Sequence, residues 1–358
     1  MDRTGHGTEV RRPSEGVFPL SQLHATPRAP RGLTTLGADL LLFAAAFIWG
    51  TGFVAQRLGS EHLGAFAFTG LRFTAGTLLL LPLLWFAPWP THVDRATAQR
   101  ATVRGGLLAG VIMLCAANVQ QFGLASTTAS NGAFITSLYV VFVPFLGLLA
   151  RHRIGWPVWV GIVLAGIGLL LLGVEPDFTV NAGDPWVLAC AVFWALHVAV
   201  VGVYSRDAEP IRLSLIQLGM TGVVALSIAG TRGEITAEAV DLAKWALLYG
   251  AVLPVAVAFT LQVIAQKKAP PTHTALILSL ESVFGMASGI VLLGERPDLQ
   301  KYVGATLMLA GVVVSQAIRP KPARRGMDGD RAIGIAETLE SSRRDDATEA
   351  IAHDPQPR

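Results

Sequence analysis

Between residues 39 and 318 the chain alternates long apolar stretches with short polar connections. A helix crosses the ~30 Å hydrocarbon core with about 20 largely apolar residues, and stretches of that order fall at 39–57, 64–86, 105–124, 128–149, 154–173, 184–204, 211–230, 243–265, 272–293 and 302–318. Runs such as LLLLPLLWF (78–86) and GIVLAGIGLLLLG (161–173) do not alternate apolar with polar residues, as barrel strands would. The pattern predicts an all-α membrane protein with ten transmembrane helices.

The apolar part repeats itself. Residues 39–50 read DLLLFAAAFIWG and residues 184–195 read DPWVLACAVFWA, so Asp39 and Trp49 recur as Asp184 and Trp194, both 145 positions later. Ser137-Leu138 returns as Ser279-Leu280 after 142, and Gly161 and Gly168 return as Gly304 and Gly311 after 143. Offsets this constant predict two five-helix units, 39–174 and 175–318, between tails at 1–38 and 319–358. An odd number of helices per unit makes the second enter the membrane from the opposite side. Inverted repeats of this kind recur in secondary transporters, where two similar conformations open one central site to either side.

Composition agrees with a lipid solvent: 52% of residues are hydrophobic and only 15% charged, with a mean hydropathy of +0.51. The net charge of +3 bears on topology rather than on nucleic acid, which is not an expected partner. With the N-terminus inside, cytoplasmic connections hold Arg95, Arg100, Arg104, Arg151, Arg153, Arg206, Arg212, Lys267 and Lys268. Outer ones hold Arg232, Lys244, Arg296 and Lys301 beside Glu175, Asp177, Glu234, Glu238 and Asp241. The positive-inside rule then places both termini of a multi-pass membrane protein in the cytoplasm. The tails, charged and poor in apolar residues, are expected to be disordered. Arg11-Arg12 has no hydrophobic region close behind it, so span 1 is expected to serve as its own insertion signal. Cys115 and Cys190 fall at membrane depth and read as packing residues.

The motifs narrow the chemistry further. There is no H-E-x-x-H run and no G-x-x-x-x-G-K-[ST] loop, which argues against a metallopeptidase and an ATP-driven pump; neither metal nor cofactor is expected. A channel would repeat charged or carbonyl rings. A membrane-embedded enzyme acting on a lipid or peptide is the alternative from another class.

Several segments carry a family resemblance: AAAFIWGTGFVAQ in span 1, Leu71-Arg72-Phe73 in span 2, TTASNGAFITSLYVVFVPFLGLL in span 4 and SLESVFGMASGIVLLGERP in span 9. Together they resemble the drug/metabolite transporter superfamily in its ten-helix EamA-type branch. The resemblance implies a carrier that moves a small metabolite (amino acid, nucleobase-like compound or drug) by alternating access, often as an exporter, with spans 3, 4, 8 and 9 around the cavity. The acidic ending Leu-Leu-Gly-Glu occurs only at 292–295; the first unit has Leu149-Ala150-Arg151-His152.

Ionisable groups at membrane depth cost at least about 2.5–3.5 kcal/mol at the centre, so each is a candidate for function. Arg72 either snorkels to the interface, anchors a helix end or carboxylate, or holds an anion in the cavity. Glu281 either couples transport to protons or pairs with Arg72 or a helix end; in a continuous helix it shares a stripe with Thr274, Gly285 and Ser288. Asn118, Gln120 and Gln121 in span 3 can bind a solute or glue helices together. Thr136 and Tyr139 share a face of span 4, Asn131 stands near its entrance, and Pro144 is read as a kink. Trp49, Trp194 and His197 are either cavity walls or packing. Gly106/Gly110 and Gly285/Gly289 read as helix-packing pairs. The expected partners are a small-molecule substrate, the bilayer and protons, with monomer and homodimer both open.

Overall fold

The computed structural model describes residues 33–149, 154–173, 181–293, 296 and 298–317. The expected disorder of residues 1–32 and 318–358, the connections holding Arg151, Arg153, Glu175 and Asp177, and the acidic ending at Glu295 lie outside these residues. The described part is helical, and eight helices are long and apolar enough to cross a membrane. They are α1 (Thr35–Gly59), α2 (Ala65–Phe86), α3 (Arg95–Leu124), α4 (Ala129–Leu149), α6 (Asp184–Tyr204), α7 (Pro210–Thr231), α8 (Ala237–Gln266) and α9 (Pro271–Leu292). Two shorter apolar helices, α5 (Trp156–Gly173) and α10 (Leu299–Ala317), occupy the remaining expected spans.

Helix starts follow their capping residues. Thr34 accepts a hydrogen bond from Gly37 N–H, so α1 begins before Asp39, within what the sequence reading assigns to the tail. Asp94 caps Thr97 N–H, which starts α3 about ten residues ahead of its apolar stretch, and Glu209 caps Ile211 and Arg212 ahead of Pro210 in the first turn of α7. Each cap satisfies N–H groups that the helix itself cannot.

Besides α2, which ends in a 3-10 segment at Leu81–Phe86, three helices are irregular where the sequence predicts unbroken ones. α4 breaks between Ser137 and Tyr139, and α9 breaks at Ser279-Leu280, with new helices starting at Tyr139 and Glu281. The repeated Ser-Leu pair is therefore the break itself. Pro144 lies inside the second half of α4, so the discontinuity is not at the proline. The Ser hydroxyls bond backward, Ser137 to Ala133 O at 2.9 Å and Ser279 to Leu276 O at 2.9 Å, competing with the regular ladder. Because α9 is interrupted, the single stripe expected from Thr274 through Glu281 to Ser288 does not exist. The third irregularity is a π-helical stretch at Ala251–Ala258 in α8, around Pro254. Proline lacks the N–H that the ladder needs, and π segments are frequent at functional sites.

Packing inverts the soluble-protein pattern. Trp85, Phe86, Leu149, Trp245, Val291 and Leu299 are strongly exposed, whereas Gln120, Gln217, Gln262, Gln266, Thr221 and Ser214 are buried. An apolar exterior over a polar interior suits a bundle solvated by lipid. Glycines set the closest approaches. A Cβ on Gly168 would come within 2.5 Å of Gly304 O, and one on Gly161 within 2.7 Å of Gly311 O, so the repeated glycines of α5 and α10 face one another antiparallel. Gly106 and Gly110 lie against Ile216 and Gln217 of α7, as a packing pair should. The remaining contacts come in matched sets: α3 with α6 and α8 with α1, α1 with α9 and α6 with α4, α2 with α7.

Candidate transport cavity

The three irregular helices meet around one internal cavity, lined from seven helices. α1 supplies Trp49, Phe53 and Gln56, α2 Arg72 and Phe73, α3 Gln120, and α4 Thr136 and Tyr139. α6 adds Trp194, His197 and Val198, α8 Pro254, Phe259 and Gln262, and α9 Leu278 and Glu281. Its volume is about 50 Å³, against the ~10–15 Å³ by which one water is held.

One wall is aromatic and centred on Phe259. The Trp49 ring lies 4.8 Å from it, the Trp194 ring 5.7 Å away at 25° between planes, and the His197 ring 5.9 Å away. Both indoles are fixed by bonds that cross between the repeats. Trp49 Nε1 donates to Pro254 O at 3.0 Å, a carbonyl within the π segment. Trp194 Nε1 donates to Gln120 Oε1 at 2.6 Å. His197 Nε2 is bonded to Gln217 Oε1 at 3.0 Å, while its Nδ1 has no partner.

Arg72 is only 5% exposed. Its stem runs past Gly250, whose missing Cβ would stand 3.4 Å from Arg72 Cδ, and its guanidinium lies 5.2 and 5.1 Å from the Phe68 and Phe73 ring centres. Among the described residues no carboxylate comes within ion-pair distance, and Nε has no acceptor. The expected pairing of Arg72 with Glu281 is therefore absent. Snorkelling is absent too, because the group lines the buried cavity.

Glu281 is 3% exposed and opens the second half of α9. The Ser137 hydroxyl, whose proton goes to Ala133 O, lies 3.4 Å from Glu281 Oε1 and 3.4 Å from Ser279 O, bringing the two broken helices together at their breaks. Tyr139 stands beside the carboxylate, with its hydroxyl lacking a well-formed hydrogen bond. Gly50 makes room for this segment: a Cβ there would come within 2.6 Å of Glu281 O.

Of the nine residues singled out in sequence, the cavity gathers Arg72, Glu281, Tyr139, Trp49, Trp194 and His197. Asn118, Gln121 and Asn131 stand elsewhere. Asn118 Nδ2 bonds back to Leu114 O at 2.7 Å within its own helix. Gln121 Nε2 crosses to Gln56 O at 2.9 Å, gluing α3 to α1, and Asn131 offers its backbone N–H to the Thr128 cap. Phe259, Gln262, Gln56 and Phe73 were missed. Gln262 lies 142 positions after Gln120, so the repeat offset was a signal for it, whereas Phe259 in an apolar run carried none. Beside α3, α4, α8 and α9, which the family resemblance implies, α1, α2 and α6 border the cavity through Trp49, Arg72, Trp194 and His197.

A lipid-facing bundle of broken helices around a buried polar and aromatic cavity is the build of a multi-pass membrane transporter. Comparison with known proteins agrees: the model of the EamA-like transporter family matches residues 36–174 and again 181–316. The chain belongs to that family. It is 31% identical to an uncharacterized transporter of Archaeoglobus fulgidus over 79% of this chain and 87% of that one. It is 26% identical to a probable amino-acid metabolite efflux pump of Salmonella typhimurium (75% and 91% covered) and 25% identical to the threonine/homoserine exporter RhtA of Escherichia coli K12 (72% and 83%). A solved crystal structure at 18% identity shares the fold, with a TM-score of 0.61 over 79% of this chain and 97% of that chain.

Proposed function

We propose that the protein is a secondary carrier exporting a small amphipathic metabolite across the cytoplasmic membrane by alternating access, through ten crossings arranged as two inverted five-helix units. The observation that carries this reading is the buried cavity at which the breaks of α4 and α9 meet, two elements in equivalent positions of the two units. Broken helices leave backbone groups that lipid cannot satisfy, so they are retained where they line a cavity. α5 and α10 then complete the units as the fifth and tenth crossings. Their shorter apolar length is compatible with spanning, since a bilayer thins locally around short helices at a modest cost. The glycine contacts between them support the inverted relation. A two-fold that carries Gly161 onto Gly304 and Gly168 onto Gly311 carries each of their two contacts onto the other.

Export is supported by the relatives whose printed names are those of exporters or efflux pumps. Glu281 is the one carboxylate in the cavity lining and the group through which protons would couple to transport. Arg72, Tyr139, Trp49, Trp194 and His197 are the substrate-facing candidates. An enzyme acting on lipid or peptide would instead pair its acid and base groups, and among the lining residues the one acid and the one strong base stand apart.

The test is counterflow. Full-length protein in proteoliposomes, preloaded with one unlabelled solute from a panel of amino acids, nucleobases and cationic drugs, should accumulate the labelled form of at least one of them. Absence of exchange for every solute, combined with chemical alteration of a lipid or peptide, would overturn the carrier reading in favour of the enzyme.

A further inference from the structure

Two opposite charges face the same buried cavity, and neither has a charged partner among the described residues. Arg72 enters from α2, wedged between Phe68 and Phe73 and free of any carboxylate among the described residues. Glu281 enters from the break in α9, beside the Ser137 and Tyr139 hydroxyls and, among the described residues, with no cation within ion-pair distance. A buried charge without a counter-charge is strongly destabilising, so a solute that supplies both would gain from each end. The same cavity has a flat apolar wall, Trp194 stacked on Phe259.

We infer that the cavity is a two-ended receptor for a zwitterion: Arg72 takes the carboxylate of an amino acid, Glu281 takes its ammonium, and the Trp194–Phe259 wall takes an apolar side chain. The guanidinium suits the first role because its planar donors match a carboxylate in a bidentate fork. The carboxylate suits the second because ammonium brings both donors and a counter-charge, and the neighbouring Ser137 and Tyr139 hydroxyls bring no charge. A solute with only one charged group leaves the opposite charge unpaired. It is therefore rejected by more than a neutral cavity would reject it, as a site built for a polar group rejects the analogue that lacks it. The inference rests on the carrier reading for its site but makes a separate claim about what fills that site.

The experiment compares phenylalanine with its amine analogue phenethylamine and its acid analogue 3-phenylpropionate, by thermal stabilisation of the purified full-length protein and by counterflow in proteoliposomes. The wild type should bind the amino acid at least about tenfold more tightly than either analogue. Arg72→Gln should bring phenethylamine to parity with the amino acid, and Glu281→Gln should do the same for 3-phenylpropionate. Loss of folding alone could not produce opposite switches in two variants. If a variant fails to elute as a single species, the wild-type ranking decides. Equal binding of the three by wild type, or no stabilisation by any, overturns the receptor. Exchange of a nucleobase or cationic drug without exchange of any amino acid would overturn it too, while leaving the carrier standing. Tight zwitterion binding without any exchange would sink the carrier and leave the receptor.

Discussion

Glycine 50 shows how much a single missing methyl decides. Its counterpart in the second unit is Ala195, whose side chain is fully buried without conflict. At Gly50 the same methyl would meet Phe284 Cβ at 2.5 Å and Glu281 O at 2.6 Å. The carbonyl is backbone and cannot rotate away, so α1 and the break of α9 must separate. Gly50→Ala is expected to destabilise the protein by about 1–3 kcal/mol, as overpacking does, and to lower transport as Glu281 shifts; a detergent melting curve alongside counterflow checks both. An unchanged melting temperature with full transport would show that α9 yields freely. In sequence this position reads only as a difference between two repeats. Its consequence depends on a contact more than two hundred residues away.

Among the elements, α5 and α10 offer the cleanest contrast. Gly168 and Gly304 face one another so closely that each carbonyl lies about 2.5–2.6 Å from the other's virtual Cβ, whereas a Cβ on Gly166 meets nothing within 4 Å. Gly168→Leu should therefore lower the melting temperature by several degrees, through loss of about 1–3 kcal/mol of packing. Gly166→Ala should leave it unchanged or raise it slightly, because alanine is the better helix former. Equal effects of the two would mean that the helices do not meet here. The periodic pattern made these helices legible, yet it could not show the breaks in α4 and α9 or the π segment of α8. Apolar runs look alike whether the backbone ladder is intact or shifted. Only the recurrence of Ser-Leu at 137–138 and 279–280 pointed to the place, and what it marked became visible with the backbone.

At the scale of the whole molecule, connections gather at two ends. Arg212 donates to Ala87 O at 2.6 Å and His92 meets Arg206 O at 3.1 Å, which puts the connections 87–94 and 205–209, flanked by Arg95, Arg100, Arg104 and Arg212, together. At the other end Gly64 lies against Glu234, and Arg232 stacks on Phe66. Matched clasps hold these ends: Asp39 of α1 pairs with His273 of α9 at 2.9 Å, and Asp184 of α6 accepts from Thr127, just ahead of α4, at 2.5 Å. With the Arg-rich end in the cytoplasm, a cysteine at Asp207 should react with an impermeant maleimide only after cells are opened, and one at Glu61 in intact cells. The reverse pattern would invert the orientation.

The sequence by itself determined the solvent, the helical class and the doubled plan, and it named six residues that the structure gathers around one cavity. Those follow from composition, from spans of membrane length and from the cost of placing Arg, Glu or His in lipid, all of which are local quantities. Tertiary structure alone decided that Arg72 and Glu281 face one cavity unpaired, that Gln121 and Asn118 spend their amides on backbone carbonyls, and that Phe259 is the hub of the aromatic wall. Each of these depends on which helix lies opposite, and in a bundle where nearly every face is apolar or small, hydropathy carries no record of the neighbour.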